Sequence, residues 1–193
     1  MFTEDYLMRI INQALAALMV AIGLKKAGKL MEARQAIQQA IEQLTTLPEN
    51  IVDQMEDGSL LSLLSTQGQL DVGRLAILAD LYQEQGEILF KLDQSVQGSI
   101  AYARALRFVL EVALSEADNL FTGTIGKIEV LIQQLKGSTL PAETQLALSD
   151  YYQRLLEKDD QSLVVAGTSR KQISQALAEL HDQLGSSKNM IGD

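Results

Sequence analysis

The sequence predicts an all-α fold of stacked antiparallel helical hairpins, and three observations carry that prediction. Hydrophobic residues fill 47% of the 193 positions while aromatics fill only 5%. The apolar mass is therefore Leu, Ile and Ala, which pack helices with little loss of side-chain freedom. Only two prolines interrupt the chain. Finally, Gly28 to Ile37 recurs forty residues later as Gly68 to Ile77, with five of ten positions identical and two small residues, Ala33 and Gly73, paired where another helix would cross closely.

The first helix is expected to start near residue 4. Thr3 is placed to cap free N–H groups, Glu4 and Asp5 suit the positive end of the dipole, and Phe2 can staple onto Leu7. Leu7, Ile11, Ala14, Leu18 and Ala21 keep helical spacing up to Lys25 and Lys26, and Gly28 stops the helix. A second helix carries Leu30, Ala33, Ile37, Ala40, Ile41 and Leu44 and ends before Leu47-Pro48, because a residue preceding proline leaves helical geometry. Two short helices follow, around Ile51 to Met55 and Leu60 to Leu64. A long helix spans about Leu70 to Leu92, apolar on more than one side between Leu75 and Tyr82. Asp93 is read as the cap of the next helix, along Val96, Ile100, Ala103, Leu106, Leu110 and Ala113.

Beyond it, Phe121, Ile125, Ile128, Ile132 and Leu135 define one face of a helix stopped at Gly137, and Pro141 opens another through Leu148, Tyr151 and Leu155. Lys158 to Gln161 breaks the pattern as a loop. Ser169 to Gln172 has capping-box form and starts a last helix through Ile173, Leu177, Leu180 and Leu184 to Gly185. Residues 1–185 thus read as one helical domain, with core hairpins over about 4–116, C-terminal helices over about 120–185 and a flexible tail at 186–193.

Net charge is −9, and residues 51–100 hold eight acidic against two basic groups. Such a surface repels phosphate backbones, which argues against nucleic-acid binding. The absence of cysteine removes disulfides, thiolate catalysis and Cys-based metal sites, and makes a reducing cytoplasm the expected location. Ala14 to Leu24, the most apolar run, covers eleven residues, against the roughly 20 that span a bilayer, and reads as a buried helix with no membrane role.

Two segments resemble tetratricopeptide repeats (TPR), which stack helix pairs through small residues at the crossing. In one, Ala21 and Leu24 precede Ala33, Ile37 and Ala40, with the turn at Gly28-x-Leu30; in the other, Tyr82, Gly86 and Leu89 precede Gly98, Tyr102 and Ala105. The two matches start 65 residues apart instead of that family's 34-residue spacing, so the resemblance implies an irregular TPR-like bundle or a short right-handed superhelix. The inner-helix positions matching a peptide clamp are Leu18, Ile22, Gln83 and Glu87, none able to hold a carboxylate. The opening from Phe2 to Arg9, followed by such hairpins, also resembles a group of uncharacterised Gram-positive bacterial proteins, which implies no activity.

Candidate sites are sparse. Tyr82, Tyr102, Ser169 and Arg170 are the side chains placed to contact a ligand or partner: the tyrosines with an apolar body and a polar tip, the latter two at a helix start able to receive an anion. Tyr6, Tyr151 and Tyr152 are weighed with the tyrosines. Asp80, Glu84 and Glu87 put three carboxylates on one helix face, which reads as a solvated acidic surface before a cation site. His181, the only histidine, has no H-E-x-x-H context, and Gly123 to Lys127 lacks the spacing of a phosphate loop, so its glycines read as helix contacts. These features point to a protein with no catalytic site, cofactor or metal, which docks a protein partner or a second copy of itself. The alternative is a sensor of a small ligand or anion held between hairpins.

Overall fold

A computed structural model describes residues 2–66, 68–115, 124–165 and 167–189. Among them are ten α-helices and one minimal strand pair. The chain divides into two compact units, Met1–Phe108 and Val109–Asp193.

In the first unit, α1 (Phe2–Lys26) and α2 (Leu30–Thr45) form a tightly packed hairpin. Gly28 makes the turn at φ 77°, with Lys29 N–H donating to Leu24 O at 2.9 Å and Gly28 N–H to Lys25 O at 3.1 Å. These paired bonds satisfy the last carbonyls of α1 as a Schellman motif, in which a side chain at the left-handed residue would be strained. Helix α1 already includes Thr3, so that residue lies inside the first turn instead of capping it. Ile10, Ala14, Leu18 and Ala21 of α1 meet Ala33, Ile37, Ala40 and Leu44 of α2 in the core, but α1 is not the buried helix its composition predicts. Only one stripe is covered.

Thr46 ends α2 in the left-handed region at φ 60°, and residues 46–71 then insert α3 (Glu49–Val52), α4 (Asp57–Leu63) and the strands β1 (Ser65–Thr66) and β2 (Gln69–Leu70). The strands pair antiparallel, Ser65 opposite Leu70, with Gly68 at φ 78° between them. Gly68 therefore serves a strand turn; Asp71 caps the following helix by accepting from Arg74 N–H at 3.0 Å. That helix, α5 (Val72–Lys91), packs against both α1 and α2. Gly73, expected to permit a close crossing, is not needed for one: a Cβ there would meet Ile11 Cδ1 at an ordinary 3.7 Å.

The close crossing lies between α5 and α6 (Ser95–Ser115). A Cβ on Gly86 would come within 2.7 Å of the Tyr102 ring, and one on Gly98 within 2.6 Å of the Phe90 ring. The two rings stack on each other with centroids 5.4 Å apart. Each glycine is thus the floor under an aromatic ring from the other helix.

Asp93 does not cap α6. It ends α5 at φ 59°, donating its N–H to Phe90 O at 3.2 Å, while Gln94 N–H reaches Leu89 O at 2.9 Å. A non-glycine residue held there carries about 1 kcal/mol of strain. Asp93→Gly is therefore expected to raise the melting temperature by about 2 °C, measured calorimetrically.

In the second unit, α7 (Thr124–Gln134) ends before Gly137 at φ 88°, and Pro141 immediately precedes α8 (Ala142–Leu156). The predicted face of α7 shifts by one residue, with Leu131 buried and Ile132 half-exposed; Phe121 lies outside the described residues. Where a loop was expected there is a short helix, α9 (Asp160–Val165), capped by Asp159, which accepts from Ser162 N–H at 2.8 Å. The last helix, α10 (Arg170–Asn189), continues through Gly185 and packs along α8 through Ile173 and Leu180. Residues 186–189 are helical, and the rest of the predicted tail lies outside the described residues.

Candidate functional site

Tyr82 and Tyr102 belong to one unit, yet both are buried. Tyr102 covers Gly86, and burial, together with the nearby Glu87 charge, pushes its phenol pKa up. The Tyr82 ring meets Phe108 edge-on at 5.8 Å, while its hydroxyl accepts from Arg104 Nη1 at 3.3 Å. Burial raises the Tyr82 pKa against the pull of that cation. Tyr82 also borders a cavity of about 220 Å³ between polar side chains that include Arg34, Glu49, Asp53 and Gln97.

Arg104 is the centre of this region, and it was not among the sequence candidates. Its Nε donates to Asp57 Oδ1 at 2.8 Å, Nη2 to Met55 O at 2.7 Å and Nη1 to Val52 O at 3.2 Å, with the guanidinium carbon 5.3 Å from the Tyr82 ring centroid. One planar fork thereby ties the 46–71 insertion to α5 and α6. The available signal was a cation set among Tyr102, Ala103, Ala105 and Leu106.

The acidic row on α5 is not a bare carboxylate face. Lys25 Nζ, reaching across from α1, lies 2.7 Å from Glu84 Oε1 and 2.6 Å from Glu87 Oε2, and Lys91 approaches Glu87 at 3.4 Å. Burial disfavours the Lys25 ammonium, but the hydrogen bonds and charges of Glu84 and Glu87 together outweigh it and raise its pKa. The hydrogen bond from Lys25 holds the Glu87 carboxyl below its ordinary value despite burial, and Lys91 assists. Among the described residues no cluster of three or more His, Asp or Glu side chains has the arrangement of a metal site.

In the second unit a groove of about 740 Å³ runs between α7, α8 and α10, lined by Ile125, Ile128, Ile132, Tyr151, Tyr152, Leu155 and Ile173, with Gly167 and Thr168 at one end. A smaller cavity of about 310 Å³ shares Ile132, Gln133, Tyr152 and Ala176 with it. Gly126 lines the groove with open space where its side chain would be, so it is not the helix contact expected of it. Tyr151 is buried and its hydroxyl has no hydrogen-bond partner among the described residues; burial pushes its pKa well above that of an ordinary phenol. Ser169 exchanges hydrogen bonds with Gln172 in the predicted capping box. Arg170 turns away from the helix start: it donates to Asp160, Leu156 O and Lys158 O. His181 reaches Ser149 Oγ at 3.3 Å. The four sequence-predicted contacts therefore fall into two separate places, Tyr82 with Tyr102 in one unit and Ser169 with Arg170 in the other.

A third feature is the outer face of α1. Met8, Leu15, Met19 and Val20 are 55%, 40%, 67% and 57% exposed, and no charged residue occurs from Ile10 to Leu24. By length and composition alone, Asp5–Lys26 would suffice to cross a bilayer.

Fold and surfaces define an all-α protein of packed helical hairpins with, among the described residues, a long apolar helix face exposed on α1. The chain belongs to the DUF6483 family, a family of unknown function, which matches it over residues 1–185. No curated protein and no solved structure matches it.

Proposed function

We propose that this protein is a non-enzymatic, TPR-like interaction module of the bacterial cytoplasm that docks a protein through the outer face of α1. The exposed, uncharged stripe of Met8, Leu15, Met19 and Val20 carries the reading, since a soluble chain gains nothing from leaving such a helix face in water unless something covers it. The TPR-like part rests on two hairpins, α1–α2 and α5–α6, with α5 packing on both helices of the first pair. The 46–71 insertion supports it further, because it accounts for the doubled spacing between the two sequence matches. Net charge of −9 favours a protein partner over nucleic acid. A photocrosslinking amino acid at position 19 is expected to give protein adducts in cells, and the same probe at exposed position 91 none. Lipid adducts at position 19, or none, would refute the proposal.

A second reading, a small-ligand binder, is favoured by one observation: the buried Tyr151 hydroxyl beside the groove of the second unit, which has no partner among the described residues. An unsatisfied buried hydroxyl costs about 1 kcal/mol or more. Tyr151→Phe should therefore stabilise the free protein by about 1 kcal/mol in urea denaturation and abolish any thermal shift found in a metabolite screen. A shift that survives the substitution removes the tyrosine from the site.

A further inference from the structure

We infer that the partner covering α1 is a second copy of the same chain, its α1 packed antiparallel across a two-fold axis near Leu15 and Ala16. The inference rests on the interaction reading above and names its partner. Along the exposed side of α1, Asp5, Met8, Asn12, Leu15, Met19 and Lys26 recur at alternating three- and four-residue steps, apart from one seven-residue interval, the spacing of a coiled-coil seam. The two charges on this seam are of opposite sign and stand at opposite ends, about 30 Å apart along the helix. An antiparallel copy brings Asp5 of each chain to the Lys26 end of the other, whereas a parallel copy sets Asp5 against Asp5 and Lys26 against Lys26. The face is thus complementary to itself in one orientation only, as a closed two-fold interface requires.

Side-chain size obeys the same symmetry. Reversal about the axis places the large Met8 toward Gly23 and Leu15 toward Ala16, and a Cβ on Gly23 meets nothing within 4 Å in the single chain, so that hollow is open to a knob. A membrane surface fits less well: helices lying on lipid carry cations along the polar flank, while α1 has none between Ile10 and Leu24, and a chain of charge −9 is repelled by anionic headgroups.

The absence of cysteine makes the test direct. Oxidation of Ala16→Cys should give a disulfide-linked dimer. Met8→Cys alone should give none, and a mixture of Met8→Cys with Gly23→Cys should give the heterodimer. By sedimentation, the intact chain should be dimeric. Met19→Glu should raise the dissociation constant at least 100-fold, because the two-fold axis buries the new charge twice. Asp5→Lys should raise it about fivefold and the Asp5→Lys/Lys26→Asp exchange restore it, an outcome that loss of folding cannot imitate. Crosslinking of Met8→Cys alone would overturn the orientation. A monomer at all concentrations would overturn the inference: if position 19 still gave adducts with another protein, the interaction reading would survive it, and if the chain instead bound phosphatidylglycerol vesicles through α1, both would fall.

Discussion

Arg104→Ala is expected to lower unfolding stability by about 3 kcal/mol, since the Arg104 and Asp57 side chains are both largely buried. The substitution removes the Asp57 ion pair, the donors to Val52 O and Met55 O, and the cation over the Tyr82 ring together. What remains is a part-buried carboxylate and the Met55 carbonyl with their shared partner gone, while Val52 O keeps the Met55 N–H, and a part-buried acceptor left short of donors costs more than the lost bond was worth. The melting temperature should fall by about 10 °C. Hydrogen exchange should accelerate first in α3 and α4, because Arg104 bonds Val52, Met55 and Asp57 there to Tyr82 of α5. Arg104→Lys should not rescue, since a single ammonium cannot reach Asp57, two carbonyls and a ring at once. Tyr82→Phe, which removes only one hydroxyl from the cluster, should cost about 1 kcal/mol. A loss spread evenly over all amides would refute the local assignment.

Lys25→Met is expected to cost about 2–3 kcal/mol at neutral pH, because it leaves Glu84 and Glu87 facing each other with their shared cation gone. The side chain of Glu84 is only 11% exposed, so water cannot fully replace Lys25, whereas Glu87 at 45% recovers much of its hydration. The pH dependence follows from the two pKa directions. The Glu87 carboxyl titrates below its ordinary 4.5, so its contribution is complete above that value and is lost as pH falls through the lower folded pKa. The Lys25 ammonium titrates above its ordinary 10.5, so its contribution is complete below that value and is lost as pH rises through the higher folded pKa. Wild type should therefore exceed the variant by the widest margin between about pH 5 and 10, with the gap closing at either extreme. Urea denaturation of both proteins at pH 3, 7 and 11 measures it; a constant difference would mean that Lys25 acts through packing alone.

Much of the fold could be read before any coordinates. Hydrophobic period placed α1, α2, α8 and α10 to within a few residues, because a buried face leaves a 3.6-residue signature, while α5, buried on more than one side, was legible from its long apolar run. Glycine punctuation was equally legible at Gly28 and Gly137, where positive φ demands it. The pattern failed where no apolar period exists. Strands of two residues, Ser65–Thr66 and Gln69–Leu70, are too short to alternate, and the six residues of α9 are too few to show a face. At Asp93 the residue type was right for a cap but its side of the turn was wrong, since Asp serves both helix starts and left-handed helix ends.

For the candidate sites the balance reverses. Sequence by itself determined the all-α class and the uncharged run from Ile10 to Leu24, both properties of spacing and composition. Only the tertiary structure decided that Lys25 neutralises the acidic row, that Arg104 holds the insertion, that Arg170 is tied to α8 and that the outer face of α1 stays open. Charge partners and covered faces depend on contacts between different elements, from 14 residues apart for Arg170 and Leu156 to 62 for Lys25 and Glu87, and local periodicity contains no term for what lies opposite.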